Sequence, residues 1–216
     1  VVLVAVSFAL WFWWDMRGWR PDVELYPEQG AVITSRAPET RFETLAAIGA
    51  DFVYLDLGEA ELAADPEFAS RLENAREAGL KIGVSAPFNP CLRADVQSSR
   101  FTRMVPRDDT LLPPAIGLNR LGSSCTPAVS DAAVESELMT LINQIEMHSG
   151  KPVILRLRRG FELRHGIARM IERDLWLTRD RARPDYTDRP WLFWSANSQF
   201  VSEASEAPIE WMVVQR

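Results

Sequence analysis

Leu112-Pro113-Pro114-Ala115-Ile116-Gly117-Leu118-Asn119 reads as a short apolar strand entered through two prolines and closed by an amide side chain. Residues two apart on a strand point to the same face, so Gly117 and Asn119 share the face at the strand end. Neither can donate or take a proton at neutral pH. Outward from this run, strand-like and helix-like segments alternate. Strands are expected near 31–34, 52–57, 81–85, 115–118, 153–157, 175–177, 192–195 and 209–214, with helices near 40–48, 66–79, 131–148 and 162–173. Asp65 is a candidate N-cap for Pro66 at a first helical position. Val134, Leu138, Leu141, Ile142 and Ile145 form the apolar stripe of the longest helix. The repeated strand, helix, strand order implies a mainly parallel sheet.

Composition fits one domain with an attached apolar segment. The 216 residues are 47% hydrophobic, with a formal charge of -6. That charge argues against a nucleic-acid partner, which needs a basic face to displace counterions. Charge is uneven: residues 21–80 hold 13 acids and 4 bases, whereas 151–190 hold 11 bases and 6 acids. Surface ion pairs account for such a division. The sharper reading is a partner patch of Arg156, Arg158, Arg159, Arg164 and Arg169 that docks an acidic protein or lipid headgroups. His148 and His165 lack ligand spacing, so neither a metal nor any other cofactor is expected.

Residues 1–14 carry no charge and include Trp11, Trp13 and Trp14, with Trp19 shortly after. A spanning helix needs about 20 apolar residues, so the run reads as the end of a transmembrane helix whose tryptophans sit at the membrane interface. The expected organisation is an anchor over 1–19, a linker over 20–28 and one domain over 29–216. It implies a single pass through a bacterial inner membrane with the domain in the periplasm. A cleaved signal peptide, with Ser7-Phe8-Ala9 as its small-x-small site, is the alternative.

From Gln29 to about Val214 the order of segments resembles the muramidase-type lysozymes of glycoside hydrolase family 25. The resemblance is carried by Ala50-Asp51-Phe52-Val53-Tyr54-Leu55-Asp56-Leu57-Gly58-Glu59, by Asp65-Pro66-Glu67-Phe68, by Ala75 to Gly83 and by Trp191-Leu192-Phe193-Trp194. It implies an irregular β/α (TIM-like) barrel, here preceded by one N-terminal transmembrane helix, with the site at the C-terminal strand ends. In the family the strand of the opening run bears Asp-x-Glu. Those positions fall on Gly117 and Asn119 here, and the first-strand Asp falls on Val32. A Tyr-His pair falls on Ser85-Ala86, and a Gln-Tyr pair on Ser195-Ala196. Of the family's acids Glu59 is retained, while Glu210 stands where the closing Asp is expected.

The resemblance, with these departures, implies a domain without catalytic residues, a pseudoenzyme rather than an enzyme. Glu59 and Glu210 are then remnant acids, and Arg156 and Arg158 pair with Asp56 or Glu59 inside the old cleft. Cys91 and Cys125 follow the third and fourth strands, so neighbouring barrel strands bring them together as a disulfide. Three functions are open. The first is an accessory subunit that docks on membrane or periplasmic proteins and holds the lipid bilayer through its anchor. The second is a peptidoglycan-binding module, which requires aromatic platforms from Trp191, Trp194 and Trp211. The third is a weak glycosidase using Glu59 and Glu210.

Overall fold

Side chains alternate between the two faces of each strand, and that alternation sorts this chain into two apolar layers. The computed structural model describes residues 16–35, 37, 39–59 and 66–215. Its strands are β1 (Gln29–Ile33), β2 (Phe52–Asp56), β3 (Lys81–Pro87), β4 (Ala115–Leu118), β5 (Ile154–Leu157), β6 (Asp174–Thr178), β7 (Phe193–Ser202) and β8 (Ser205–Val214). They close into a barrel in sequence order. Successive strands from β1 to β7 pair in parallel, whereas β8 is antiparallel to both β7 and β1. The expected irregular β/α barrel is therefore observed, and its irregularity lies in the β7–β8 hairpin.

Inside the barrel, Val32, Phe52, Tyr54, Ala115, Ile154, Trp176, Phe193 and Met212 form one buried cluster. Outside it, Ala31, Val53, Leu55, Val84, Ile116, Leu155 and Leu177 face the helices. The interior is aromatic: Phe52 stacks on Phe193 at 5.4 Å, and Tyr54 lies 5.0 Å from Trp176. Rings of that size require neighbours without side chains. A Cβ on Gly83 would stand 2.3 Å from the Tyr54 ring. That ring is held by a hydrogen bond from its hydroxyl to the Pro113 carbonyl at 2.9 Å. Gly83→Ala is therefore expected to cost about 1–3 kcal/mol by overpacking, read from the denaturant midpoint. A midpoint equal to wild type would mean that the ring yields freely.

The opening run is tied on both sides before it becomes β4. The Leu112 amide donates to the Ile82 carbonyl at 2.7 Å, and the Ile154 amide to that of Pro114 at 2.8 Å. The helices are α1 (Phe42–Ala47), α2 (Phe68–Glu77), α3 (Ala94–Met104), α4 (Asp131–Ser149), α5 (Arg159–His165) and α6 (Ile167–Met170). The α4 stripe Val134, Leu138, Leu141, Ile142 and Ile145 is buried as its spacing predicts. Ser130 caps the start of α4, and Gly150, in the left-handed conformation, ends it.

Three elements differ from expectation. The single helix expected over 162–173 is two, because Gly166 takes φ 61 between α5 and α6. Asp65 lies outside the described residues, and α2 starts after Glu67, which makes no side-chain capping bond. Helix α3 has no sequence signature because it buries Gln97, Ser98 and Arg100 beside Ala94 and Phe101. Gln97 donates to the carbonyls of Asn89 and Leu92, each at 2.9 Å, and accepts from the Asn89 amide. Satisfied polar groups thus replace part of an apolar stripe.

Cys91 and Cys125 form the expected disulfide, with Cα atoms 5.4 Å apart. It joins the loop after β3 to the loop after β4.

Residues 20–28, expected as a linker, pack against the barrel. No helix separates β6 from β7 or β7 from β8, so the outer face there needs another cover. Trp19 and Tyr26 lie 6.4 and 5.7 Å from Trp194, and the Arg20 guanidinium sits 5.5 Å above the Trp211 ring. Trp19 is thus a barrel contact rather than a membrane-interface residue. Trp11, Trp13 and Trp14, and residues 1–15 of the anchor expected over 1–19, lie outside the described residues. Among the described residues no helix is long and apolar enough to cross a membrane.

Candidate active site

At the mouth, where β1–β7 end, the inward positions become polar. Arg156, two residues beyond the interior Ile154 on β5, turns into the barrel and lies 4.6 Å above the Trp176 ring. Its guanidinium reaches two carboxylates: Glu210 Oε2 at 2.5 Å and Asp56 Oδ2 at 3.6 Å. The three side chains are 9%, 11% and 15% exposed, so water screens these contacts little. A second chain of donors converges on Glu210. Trp176 Nε1 donates to Ser195 Oγ at 2.7 Å, and the Ser195 hydroxyl donates to Glu210 Oε1.

Asp56 ends β2 and accepts a 2.8 Å hydrogen bond from the Gly58 amide. Burial pushes its carboxyl above the usual carboxylate range; Arg156, the Gly58 amide and the Ser85 hydroxyl oppose that rise, and the Glu210 charge adds to it. One acid inclined to keep its proton beside a second carboxylate held by donors is the arrangement that acid–base chemistry uses.

Above these groups lies an open cleft of about 560 Å³. Val32, Asn119, Glu59 and Arg158 line it, together with Thr34, Ser35, Ser198 and Gln199. The structure therefore brings Val32, Asn119, Glu59, Glu210 and Arg156 to one place. Gly117 sits on β4 opposite Arg156. A Cβ there would make only ordinary contacts, the nearest 3.5 Å from Pro87 Cα, so packing does not close that position to a side chain. Arg100 of α3 shapes the rim by donating to the carbonyls of Leu57 and Gly58 at 2.6 and 2.9 Å. Sequence reading had no signal for Arg100, since α3 itself went unseen. Trp176 was legible only as a strand residue, not as the floor under Arg156.

Two expectations about the surface change. Trp191, Trp194 and Trp211 are buried on the outer side of the barrel, so none of them is a platform in the cleft. The five arginines do not form one surface patch, because strand alternation turns Arg156 into the barrel. Arg156 is inside the mouth and Arg158 on its rim. Arg164 pairs with Asp131 at 2.5 Å and Arg169 pairs with Asp188, and these two, with Arg158 and with Arg159 at the start of α5, are exposed.

The sequence model described as glycosyl hydrolases family 25 matches residues 33–205. Among solved structures, a family 25 glycosyl hydrolase from Bacillus anthracis superposes with a TM-score of 0.78 at 21% identity, covering 92% of this chain and 93% of that one. A bacterial lysozyme from Streptomyces coelicolor gives 0.75 at 15% identity, covering 88% and 92%. A family 25 lysozyme from Aspergillus fumigatus gives 0.70 at 17% identity, covering 88% and 94%. No curated protein sequence matches the chain. These findings overturn the expectation that the protein is a pseudoenzyme: the matched family is one of hydrolases, and the structural neighbours carry the names of lysozymes. That expectation rested on the departures at Val32, Ser85-Ala86, Gly117, Asn119 and Ser195-Ala196, whereas the mouth collects its carboxylates from β2 and β8. With most of its length matched, the chain belongs to glycosyl hydrolase family 25.

Proposed function

We propose that the protein is a glycoside hydrolase acting on a peptidoglycan-type glycan, with Asp56 as the proton donor and Glu210 as the second carboxylate. The observation that carries this reading is the Asp56–Arg156–Glu210 arrangement on the floor of the open cleft. Glycoside cleavage needs one group to protonate the leaving oxygen and another to act as base, nucleophile or stabiliser across the bond. Val32, Gly117 and Asn119 supply neither, so the two roles fall to acids from other strands. Thr34, Ser35, Asn119, Ser198 and Gln199 offer hydrogen bonds to sugar hydroxyls in a cleft that has no aromatic platform among its described lining residues. The disulfide fits an oxidising, exported location, and the uncharged run 1–14 supports anchoring in a membrane. The accessory-subunit reading rested on missing chemistry and gains nothing from this arrangement.

Release of reducing ends from purified cell-wall sacculi tests the proposal. Asp56→Asn and Glu210→Gln are each expected to lower turnover by about 100- to 10,000-fold. Because the acid form of Asp56 does the work, wild-type turnover falls as pH rises through its raised pKa, and Asp56→Asn removes that limb. Sacculi that are bound but not cut by the wild type, or variants as active as the wild type, would sink the proposal.

A further inference from the structure

We infer that the mouth of the barrel faces a phospholipid bilayer, so that the cleft meets glycan lying along the membrane surface. The inference rests on the membrane-anchor reading of residues 1–14 and on where the described chain begins. Arg181, in the loop after β6, donates to the Met16 carbonyl at 2.9 Å. Asn197, beyond the barrel rim on β7, donates through Nδ2 to the carbonyls of Arg17 and Trp19 at 3.2 and 2.8 Å. Both donors belong to the mouth end. From there the strap runs along Trp194 and Trp211 to the opposite end, where Gln29 Nε2 donates to the carbonyls of Pro21 and Tyr26 at 3.0 and 2.9 Å. The chain therefore joins its apolar N-terminal run at the mouth and not at the base.

The uncharged run ends at Trp14, two residues before the pinned Met16 carbonyl. Consecutive Cα atoms are about 3.8 Å apart, so at most about 8 Å separates that run from the rim. A tether this short decides which end of the barrel approaches the bilayer. Trp11, Trp13 and Trp14 suit the headgroup level, and Arg17 and Arg181 set positive charge beside the exit, where anionic headgroups would meet it. The substrate class follows: glycan close to the membrane enters the cleft, whereas wall material farther out meets the closed base of the barrel.

The test uses the full chain in vesicles of phosphatidylethanolamine and phosphatidylglycerol bearing a headgroup energy-transfer acceptor. With Cys91 and Cys125 bridged, a single added thiol carries the donor, either in Gln199→Cys at the mouth or in Glu77→Cys at the end of α2. Both positions are exposed. Transfer several-fold stronger from position 199 than from 77 is the expected result. Inserting a flexible Gly/Ser segment of about ten residues between Trp14 and Met16 should abolish that difference. Equal transfer from both positions, stronger transfer from 77, or failure of the full chain to float with vesicles overturns the inference. Hydrolysis is not part of the readout, so a failed activity assay leaves this test intact.

Discussion

Replacing Arg156 with Met is expected to destabilise the domain by about 3–5 kcal/mol near neutral pH, the cost of leaving buried charges without their partner. Two carboxylates depend on this one guanidinium, at 2.5 and 3.6 Å, and all three side chains are largely excluded from water. Its stacking on Trp176 is lost as well. The sign of the pH dependence follows from Asp56. Burial already raises its folded pKa above the unfolded value, so its contribution favours folding at low pH and weakens as pH rises through the folded pKa. Removing Arg156 takes away the largest opposing influence on that carboxyl and raises the pKa further. The difference between wild type and variant should therefore be greatest at neutral and alkaline pH and shrink as acid protonates both carboxyls. Guanidinium unfolding across a pH series measures this. A loss under about 1 kcal/mol, or one that does not change with pH, would mean that water reaches the carboxylates and replaces the guanidinium.

Cys91→Ser with Cys125→Ser should cost about 3–4 kcal/mol, from the chain entropy that a cross-link over a separation of 34 residues removes from the unfolded state. For a domain of this size that corresponds to a fall in Tm of roughly 10 °C. The consequence reaches the site, because the second bridged loop follows β4 and carries Asn119 to the cleft. Calorimetry of the double variant, and of the wild type with reductant, should give the same fall. An unchanged Tm in both would mean that packing of α3 and α4 already fixes the two loops.

Much of the scaffold was legible in the sequence because its elements carry local signals. Each of the eight strands contains a short apolar run that the pattern located, although β7 and β8 extend through polar residues well beyond the expected 192–195 and 209–214. The α4 stripe repeats every three or four residues and is buried as read. Helix α3 was illegible because its inner face is held by Gln97 and Arg100, whose value depends on the carbonyls of Leu57, Gly58, Asn89 and Leu92. The strap was read as a linker for a related reason. Its two prolines and acids look solvated until the bare outer face of β7 and β8 is known to need Trp19 and Tyr26.

Strand alternation, apolar periodicity and cysteine placement are properties of neighbouring residues, so the sequence by itself determined the eight-stranded α/β scaffold and the chain order of its parts. Alternation also put Arg156 on one face of β5, and the sequence foresaw its pairing with an acid of the cleft. Which acids those are was decided by closure of the barrel. Closing the sheet through the β1–β8 pair places Glu210 across the mouth from Asp56 and leaves Glu59 exposed on the rim. The reach of one guanidinium then joins β2, β5 and β8, and no local pattern along the chain encodes that distance.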